Sequence, residues 1–249
     1  MHHSTLGIMY VEAMHLISAP DVVTYGPCPR HTAISLNLRY ESYGSEAGSY
    51  HQQARFQSNK KWNLMLDEYP KEIVLKDGTL VTLRPLERDD ADALIAFFQQ
   101  VPADDRWYLR HDVTDPAVVR GWAAEINYER VIPIVALCEG RVVGDATLHR
   151  HRHGSSAHIG EIRLVIDPAV RATRLGTWML LDIIQLATRL GLEKLVAEIA
   201  SKETAAIRAL RHLDFVREAV IPELHKDTGG NPYDLIIMVK NLAPAWTDF

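Results

Sequence analysis

Cysteine is scarce in this chain: Cys28 and Cys138 are the two that its 249 residues contain. So few cysteines argue against a disulfide-stabilised fold, and a reducing, cytoplasmic location is the simpler expectation. The sequence also lacks an uninterrupted apolar run of the roughly 18–20 residues that a membrane-spanning helix requires. Its longest apolar stretch, residues 175–186, is broken by Thr177, Asp182 and Gln185. We therefore expect neither a disulfide framework nor a membrane protein.

A strong excess of charge of one sign is missing as well. The 27 Lys and Arg residues face 32 Asp and Glu residues, which leaves a net charge of −5 at pH 7. A weakly acidic chain is a poor match for the phosphate backbone of nucleic acid, so nucleic acid is not expected as a partner. Hydrophobic residues make up 47% of the chain, which is enough for a sizeable core.

The chain divides into three parts by composition. Residues 1–65 show no sustained pattern of apolar residues, residues 66–242 are regularly patterned, and residues 243–249 form a short tail. The first part is interpreted either as an irregular, poorly ordered extension, with Met65 as an alternative start, or as a small lobe covering the domain. The composition favours the extension, because it offers little apolar surface to offset the entropy lost on ordering.

Apolar periodicity and turn residues predict a regular order of elements in residues 66–242. Helices are predicted from Asp89 or Asp90 to 98, and over 116–128, 175–190 and 203–213. A hairpin is predicted over 73–84, then strands over 132–138, 141–150, 157–166 and 194–200, and a closing pair over 215–224 and 233–240. This order predicts an α/β (α+β) fold with a mixed, mainly antiparallel sheet of about seven strands, flanked by about four helices.

The most informative segment joins the strand that ends at Ile166 to the helix that follows it. Asp167-Pro168 closes the strand, and a short loop containing Arg171 and Gly176 then opens the helix. A loop of this kind directs several backbone N–H groups into one concavity, and the helix dipole adds positive potential. Gly176 lets a ligand approach the backbone, and Arg171 supplies a positive charge. The segment is therefore predicted to bind a diphosphate.

This segment resembles the phosphate loop of the GNAT superfamily of acyl-CoA N-acyltransferases, which reads Gln/Arg-x-x-Gly-x-Gly/Ala after such a strand. Arg171 stands at the first position and Gly176 at the last, whereas Arg174 replaces the first glycine. The order of elements over residues 66–242 is similar to that of the superfamily. Residues 76–79, 84–85 and 105–110 look like the catalytic domain of bacterial protein-lysine acetyltransferases. The resemblance implies the GNAT fold and an N-acetyltransferase.

The resemblance further implies acetyl-CoA as the co-substrate and no metal. In this family the strand before the loop splays from its neighbour and pairs with the pantetheine amides, a role that falls here on Leu164, Val165 and Ile166. Backbone N–H groups of the loop hold the pyrophosphate. The loop residues implied in binding are Arg171, Ala172, Thr173, Arg174, Leu175, Gly176 and Thr177.

Glu161 is the candidate general base. An amine acceptor is mostly protonated at neutral pH, so its attack on a thioester benefits from a group that accepts a proton. Strand alternation places Glu161 on one face with Arg163 and Val165, and related lysine acetyltransferases are similar in having a catalytic glutamate here. The alternative is a carboxylate that is merely ion-paired, to a neighbour of Arg163 or to Arg152 on the adjacent strand.

Other positions depart from the family's pattern. The resemblance places Leu210 where many GNAT enzymes have a tyrosine that protonates the departing thiolate, and Glu203 where an asparagine commonly contacts CoA. Residues 106–111, between the first two predicted helices, lie in the connection that commonly lines the acceptor site in this family. Trp178 and Met179, on the long helix, are expected in the core.

Three histidines, His149, His151 and His153, would share one face of a strand, an arrangement that could bind a metal. No nearby cysteine or carboxylate completes a ligand set, so a solvated hairpin or the rim of the substrate site is the expected role.

Two functions stay open. The first is an N-acetyltransferase that moves an acetyl group from acetyl-CoA directly to an amine, either a protein lysine or a small-molecule amine, with Glu161 as base and backbone amides polarising the thioester. The second is a non-catalytic acyl-CoA-binding sensor or regulatory module, which the missing tyrosine and the replaced glycine keep open. The expected partners are acetyl-CoA and the amine acceptor.

Overall fold

The computed structural model of the chain describes residues 66–242. The extension expected over residues 1–65 and the tail expected over residues 243–249 lie outside the described residues. In the described part the chain forms one sheet of eight strands. These are β1 (Lys71–Val74), β2 (Leu80–Pro85), β3 (Val131–Cys138), β4 (Arg141–Arg150), β5 (Ile159–Ile166), β6 (Lys194–Ala200), β7 (Val216–Lys226) and β8 (Pro232–Asn241).

Five α-helices lie between the strands in the same part of the chain. They are α1 (Ala91–Gln100), α2 (Ala103–Arg106), α3 (Pro116–Ala124), α4 (Leu175–Arg189) and α5 (Thr204–His212). Within residues 66–242, none of these helices has both the length and the apolar character required to cross a membrane.

The sheet is mixed and mainly antiparallel, in the order β1-β2-β3-β4-β5-β6-β8-β7. β5 and β6 form its parallel pair, with α4 as the crossover between them. The predicted α/β (α+β) architecture is therefore confirmed. The sheet has eight strands rather than about seven, because the hairpin predicted over residues 73–84 supplies two of them, β1 and β2. The structure also has one helix more than expected, the four-residue α2.

The two faces of the sheet carry different helices. On one face, α1 and α3 pack a buried cluster that includes Phe97, Phe98 and Val119 against sheet residues such as Val135 and Val165. We call this side the α1/α3 face. It is the face that carries the odd-numbered residues of β5, because Val165 belongs to this cluster.

The opposite face is covered by α4, which packs very close to the sheet. A Cβ atom added at Gly144 would meet the sulfur of Met179 at 2.8 Å, and one added at Gly160 would meet Leu148 and Leu192 at the same distance. Glycine at these two strand positions lets the backbone approach its neighbours this closely. Met179 is fully buried as expected, whereas the expectation for Trp178 is wrong, because 43% of its surface is exposed.

Local contacts explain where α1 and α3 begin and end. Asp115 caps α3 as expected, accepting a hydrogen bond from the Ala117 N–H at 2.8 Å. Asp90 does not cap α1 with its side chain. Its carboxylate instead accepts from Arg84 at 2.6 Å on both oxygens and from the Glu87 N–H at 2.7 Å. The second predicted helix, α3, ends earlier than expected, at Ala124 rather than at residue 128. The Asn127 carbonyl accepts N–H groups of the turn that follows it.

Candidate active site

β5 and β6 part after a short paired stretch. Their parallel register covers three residue pairs and ends where Glu161 lies opposite Val196. Beyond that point, within the described residues, β5 is paired with β4 as far as Ile166, and β6 is paired with β8 as far as Ala200. The facing edges of residues 162–166 and 197–200 therefore border an opening that we call the wedge. Backbone N–H and C=O groups at such an edge can pair with the amides of an extended ligand.

The loop at the open end of the wedge has the geometry of an anion site. Ala172 and Arg174 adopt left-handed φ angles of 66° and 73°, and alternating backbone conformations of this kind gather N–H groups into a concavity. Among the described residues, no side chain caps the start of α4. The first-turn N–H groups of Leu175, Gly176 and Thr177 consequently have no partner within the helix and coincide with its positive end.

Side chains fix this loop to the strands around it. The Thr173 hydroxyl donates to the Val170 carbonyl at 2.6 Å, and the Lys76 N–H donates to the Thr173 carbonyl at 3.2 Å. Arg171 donates through Nε to the Ile166 carbonyl at 3.2 Å and through Nη2 to Asp105 at 2.5 Å. The guanidinium of Arg171 thus joins the loop to α2. Its predicted contact with a diphosphate stays a prediction.

Glu161 lies at the apex of the wedge, in the last residue pair before the strands part. Its Oε1 accepts two hydrogen bonds from Arg163, from Nε at 3.0 Å and from Nη2 at 2.8 Å. The Glu161 side chain is 13% exposed and that of Arg163 is 23% exposed. Arg152, the other partner considered for Glu161, is paired with Glu129 instead. Glu161 therefore lies at the apex of the wedge and is ion-paired with Arg163 there.

One histidine lies beside Glu161 in the sheet. His149 on β4 is its register partner, and its Nε2 is 3.0 Å from the Thr147 hydroxyl. Burial, together with the charges of Arg163 and Arg110, lowers the pKa of His149 to about 3. Burial and the same two arginines lower the pKa of His111. The His149 ring is consequently uncharged at neutral pH.

The histidines do not form a metal site with their neighbours. Within residues 66–242, no three His, Cys, Asp or Glu side chains converge in a way that could hold a metal ion. His151 and His153 are exposed beyond the end of β4, whereas His149 is half-buried on the strand.

Residues 103–108, which we call the clasp, connect the wedge to the β7–β8 hairpin. The Trp107 indole N–H donates to the Lys226 carbonyl at 2.8 Å, and Thr228 donates to Asp104 at 3.0 Å. The rings of Tyr108 and Tyr233 are in edge-to-face contact at 5.5 Å. Because Asp105 in the clasp also binds the phosphate loop, the clasp links both sides of the wedge.

Sequence reasoning did not find the clasp contacts. Asp104 and Asp105 fall in the stretch that resembles lysine acetyltransferases, but their partners Thr228 and Arg171 are more than 60 positions away. Leu210, the residue that the resemblance places at the tyrosine position, is completely buried in the core.

The comparisons with known proteins agree with this geometry. The sequence profile described as "Acetyltransferase (GNAT) domain" matches residues 81–216, more than half of the chain. The chain therefore belongs to the GNAT acetyltransferase family. As a member of that family it is an acyl-CoA-dependent N-acetyltransferase, and the wedge and the uncapped start of α4 fit acetyl-CoA as its co-substrate.

Solved structures share the fold at low sequence identity. The GNAT domain of S. lividans PAT matches with a TM-score of 0.57 and 18% identity, over 69% of this chain and 96% of that one. The Salmonella typhimurium protein yncA, solved with its cofactor acetyl-CoA, matches with a TM-score of 0.57 and 24% identity, over 67% of this chain and 96% of that one. A GNAT-family acetyltransferase from Streptococcus pneumoniae matches with a TM-score of 0.55 and 21% identity, over 65% of this chain and 99% of that one. No curated protein sequence matches the chain.

Proposed function

We propose that this chain transfers an acetyl group from acetyl-CoA directly to an amine, with Glu161 accepting the proton that the amine loses. The observation that carries the proposal is the place of Glu161 at the apex of the wedge, where β5 and β6 separate. A carboxylate at that point is adjacent to the end of any extended ligand paired along the wedge.

The binding roles follow from the backbone of β5 and the loop. Leu164, Val165 and Ile166 offer main-chain groups to the pantetheine amides along the edge that β6 leaves. The diphosphate is held by main-chain donors at the positive start of α4. The residues assigned to this second role are Arg171, Ala172, Thr173, Arg174, Leu175, Gly176 and Thr177.

Proton transfer to Glu161 addresses the main obstacle to the reaction. With a pKa near 10.4, about one lysine-type amine in 2,500 is neutral at pH 7. Glu161 removes the proton as the nitrogen forms its bond to the carbonyl carbon, and the carbon–sulfur bond breaks with release of the coenzyme as a thiolate. Leu210 offers no acid, and the thiolate takes its proton from water, which a leaving group with a pKa near 8.5 allows.

The substitution Glu161→Gln tests this role. We expect thiol release with an amine acceptor to fall by at least about 100-fold, because general-base catalysis contributes about that much, while the Kd for acetyl-CoA in calorimetry stays nearly unchanged. Glu129→Gln is the matched control, since Glu129 is also ion-paired, to Arg152, but lies away from the wedge. Full turnover by the Glu161→Gln enzyme would remove Glu161 from the mechanism.

The non-catalytic sensor, which the sequence left open because of Leu210 and Arg174, does not agree with the membership of the acetyltransferase family. It predicts acetyl-CoA binding without thiol release for every amine offered. Thiol release that depends on an amine excludes it.

A further inference from the structure

Arg174 brings a guanidinium group to the phosphate loop directly before α4. The side chain is exposed and, within the described residues, has no hydrogen-bond, ion-pair or ring partner. Its backbone holds a φ of 73°, a conformation that glycine adopts without strain and arginine does not. No contact in the described part of the protein therefore accounts for an arginine at this position.

The other arginine of the loop is already engaged by the protein. Arg171 donates to the Ile166 carbonyl at 3.2 Å and to Asp105 at 2.5 Å, and its side chain is 10% exposed. The Asp105 carboxylate neutralises the charge of Arg171. Of the two arginines in this loop, Arg174 is consequently the one whose charge is left to meet an anionic ligand.

Lys76 brings a second cation to the same place. Its N–H donates to the Thr173 carbonyl at 3.2 Å, so the turn between β1 and β2 lies against the residue that precedes Arg174. The Lys76 side chain is exposed and likewise has no partner in the part of the chain that the structure describes. Asp77, the acid in this turn, accepts the Thr79 N–H at 3.0 Å. Two cations without a partner therefore lie on adjacent segments.

The chemistry of acetyl-CoA indicates what these cations can bind. The co-substrate has a diphosphate and, further from the thioester, a separate phosphate on the 3′ position of its ribose. A ligand that extends along residues 162–166 reaches the main-chain donors of residues 175–177 with its diphosphate and continues past the loop with its adenosine end. The 3′-phosphate is the next anionic group on that path. Arginine and lysine both bind phosphate through charge-assisted hydrogen bonds.

Building on the diphosphate site proposed above, we infer that Arg174 and Lys76 bind the 3′-phosphate of acetyl-CoA and make the protein select CoA over 3′-dephospho-CoA. The main chain of the loop holds the diphosphate, and the two side chains hold the third phosphate. The guanidinium of Arg174 thus adds a contact that a glycine at this position does not offer.

A matched pair of ligands tests the inference with the wild-type chain. The Kd values of acetyl-CoA and of acetyl-3′-dephospho-CoA are measured by calorimetry under the same buffer and salt conditions. The two ligands share the thioester, the pantetheine and the diphosphate and differ in the 3′-phosphate alone. We expect acetyl-CoA to bind about 5- to 50-fold more tightly, between the contribution of an exposed ion pair and that of a charge-assisted hydrogen bond.

Variants of the two cations locate the recognition. Arg174→Gln should raise the Kd for acetyl-CoA about fivefold or more and leave the Kd for the dephospho ligand within about twofold of the wild-type value. Arg174→Lys should retain part of the preference. Lys76→Gln should reduce the preference by a smaller factor, about 2- to 5-fold, because its contact is a single point charge at the surface.

Two controls separate a lost contact from a general effect. Glutamine begins with the same unbranched carbon chain as arginine, so the backbone strain at this φ is kept, and urea denaturation should give the same midpoint as the wild type. Arg120→Gln removes an exposed arginine of α3 that pairs with Asp92, and it should change neither Kd.

The outcomes distinguish this inference from the proposed function. Equal affinity of the wild-type chain for the two ligands overturns the inference and leaves the acetyl transfer intact. An equal loss for both ligands in Arg174→Gln also overturns it, because the arginine would then act on the loop or on the diphosphate. Failure to bind either ligand overturns the diphosphate site and the inference with it.

Discussion

At the scale of single residues, Arg174 is the most unusual feature of the phosphate loop. It holds a φ of 73° at the position where the family has glycine, and a non-glycine residue in this region is strained by about 1–3 kcal/mol. Thr173 holds the loop beside Arg174 in place, because it is hydrogen-bonded to Val170 and to Lys76.

Substitution of Arg174 should therefore depend on backbone freedom rather than on charge. We expect Arg174→Val to lower the free energy of unfolding by about 1–2 kcal/mol, because a β-branched residue resists a positive φ, and Arg174→Gly to leave it unchanged or slightly higher. Urea denaturation measures both. Equal destabilisation by valine and glycine would show that the arginine side chain, not the backbone, matters here.

Asp145 is a second residue under local stress. It lies on β4 with its Oδ1 fully enclosed and without a hydrogen-bond partner among the described residues. Burial raises the pKa of Asp145 to about 7. The folded protein thus holds a proton that the unfolded chain releases near pH 4, so the stability that Asp145 contributes falls as the pH rises from about 4 to 7.

Asp145→Asn removes this titration. We expect the variant to gain stability over the wild type as the pH rises from 5 to 7.5, by at most about 1.4 kcal/mol for each pH unit within the window. Chemical denaturation at a series of pH values measures the difference. A difference that does not change with pH would place the carboxylate in a site that is already open to water.

At the scale of elements, the clasp, which includes α2, connects the wedge to the loop before α4. The Asp105–Arg171 pair is largely buried, with side chains 15% and 10% exposed. Removing one partner of such a pair leaves the other charge uncompensated.

Neighbouring aspartates in α2 provide a matched comparison. Asp105→Asn should destabilise the protein by about 1–3 kcal/mol and weaken acetyl-CoA binding, because Arg171 loses the partner that orients the loop. Asp104→Asn, which affects an exposed hydrogen bond to Thr228, should cost less than about 1 kcal/mol. Thermal unfolding and calorimetry measure the two effects. Similar losses for both variants would assign the effect to α2 as a whole.

The same elements show what the sequence could and could not predict. The Arg171–Gly176 loop was recognisable because its signal is local: a strand, a turn and a helix in continuous order. The opening between β5 and β6 has no such signal in the residues themselves, since it is a relation between strands on either side of α4 and was implied only by the family resemblance. Asp90 shows a related limit, because its carboxylate accepts from Arg84 and from the Glu87 N–H instead of capping α1.

The exposure of Trp178 and the presence of α2 were not predicted, for two different reasons. Trp178 follows the apolar pattern of α4, but it falls on the side of the helix turned away from the sheet, and the pattern alone does not define that boundary. The four residues of α2 are too few for a periodic signal. The individual roles of Glu161 and the loop residues stay predictions until the variants are measured.

At the scale of the whole molecule, the wedge divides the sheet into two parts, β1–β5 and β6–β8. A ligand that pairs with both edges should stabilise the folded state by mass action. At acetyl-CoA concentrations 100 times the Kd, we expect the free energy of unfolding to rise by about 2.7 kcal/mol. The rise in melting temperature over a series of acetyl-CoA concentrations measures this stabilisation. The Glu161→Gln variant should show the same rise as the wild type. Absence of any shift would contradict binding in the wedge.

The three residue pairs between β5 and β6 have a mechanical consequence. Beyond them the hydrogen-bonding edges of the two strands are open, and we expect bound acetyl-CoA to pair with those edges. Without it, the backbone amides of residues 197–200 that face the wedge should exchange their hydrogens with solvent soon after mixing, whereas those paired with β8 stay protected. With it, the amides that face the wedge should become protected together with those of residues 162–166. The lifetime of the protein against proteolysis should then follow the supply of its own co-substrate.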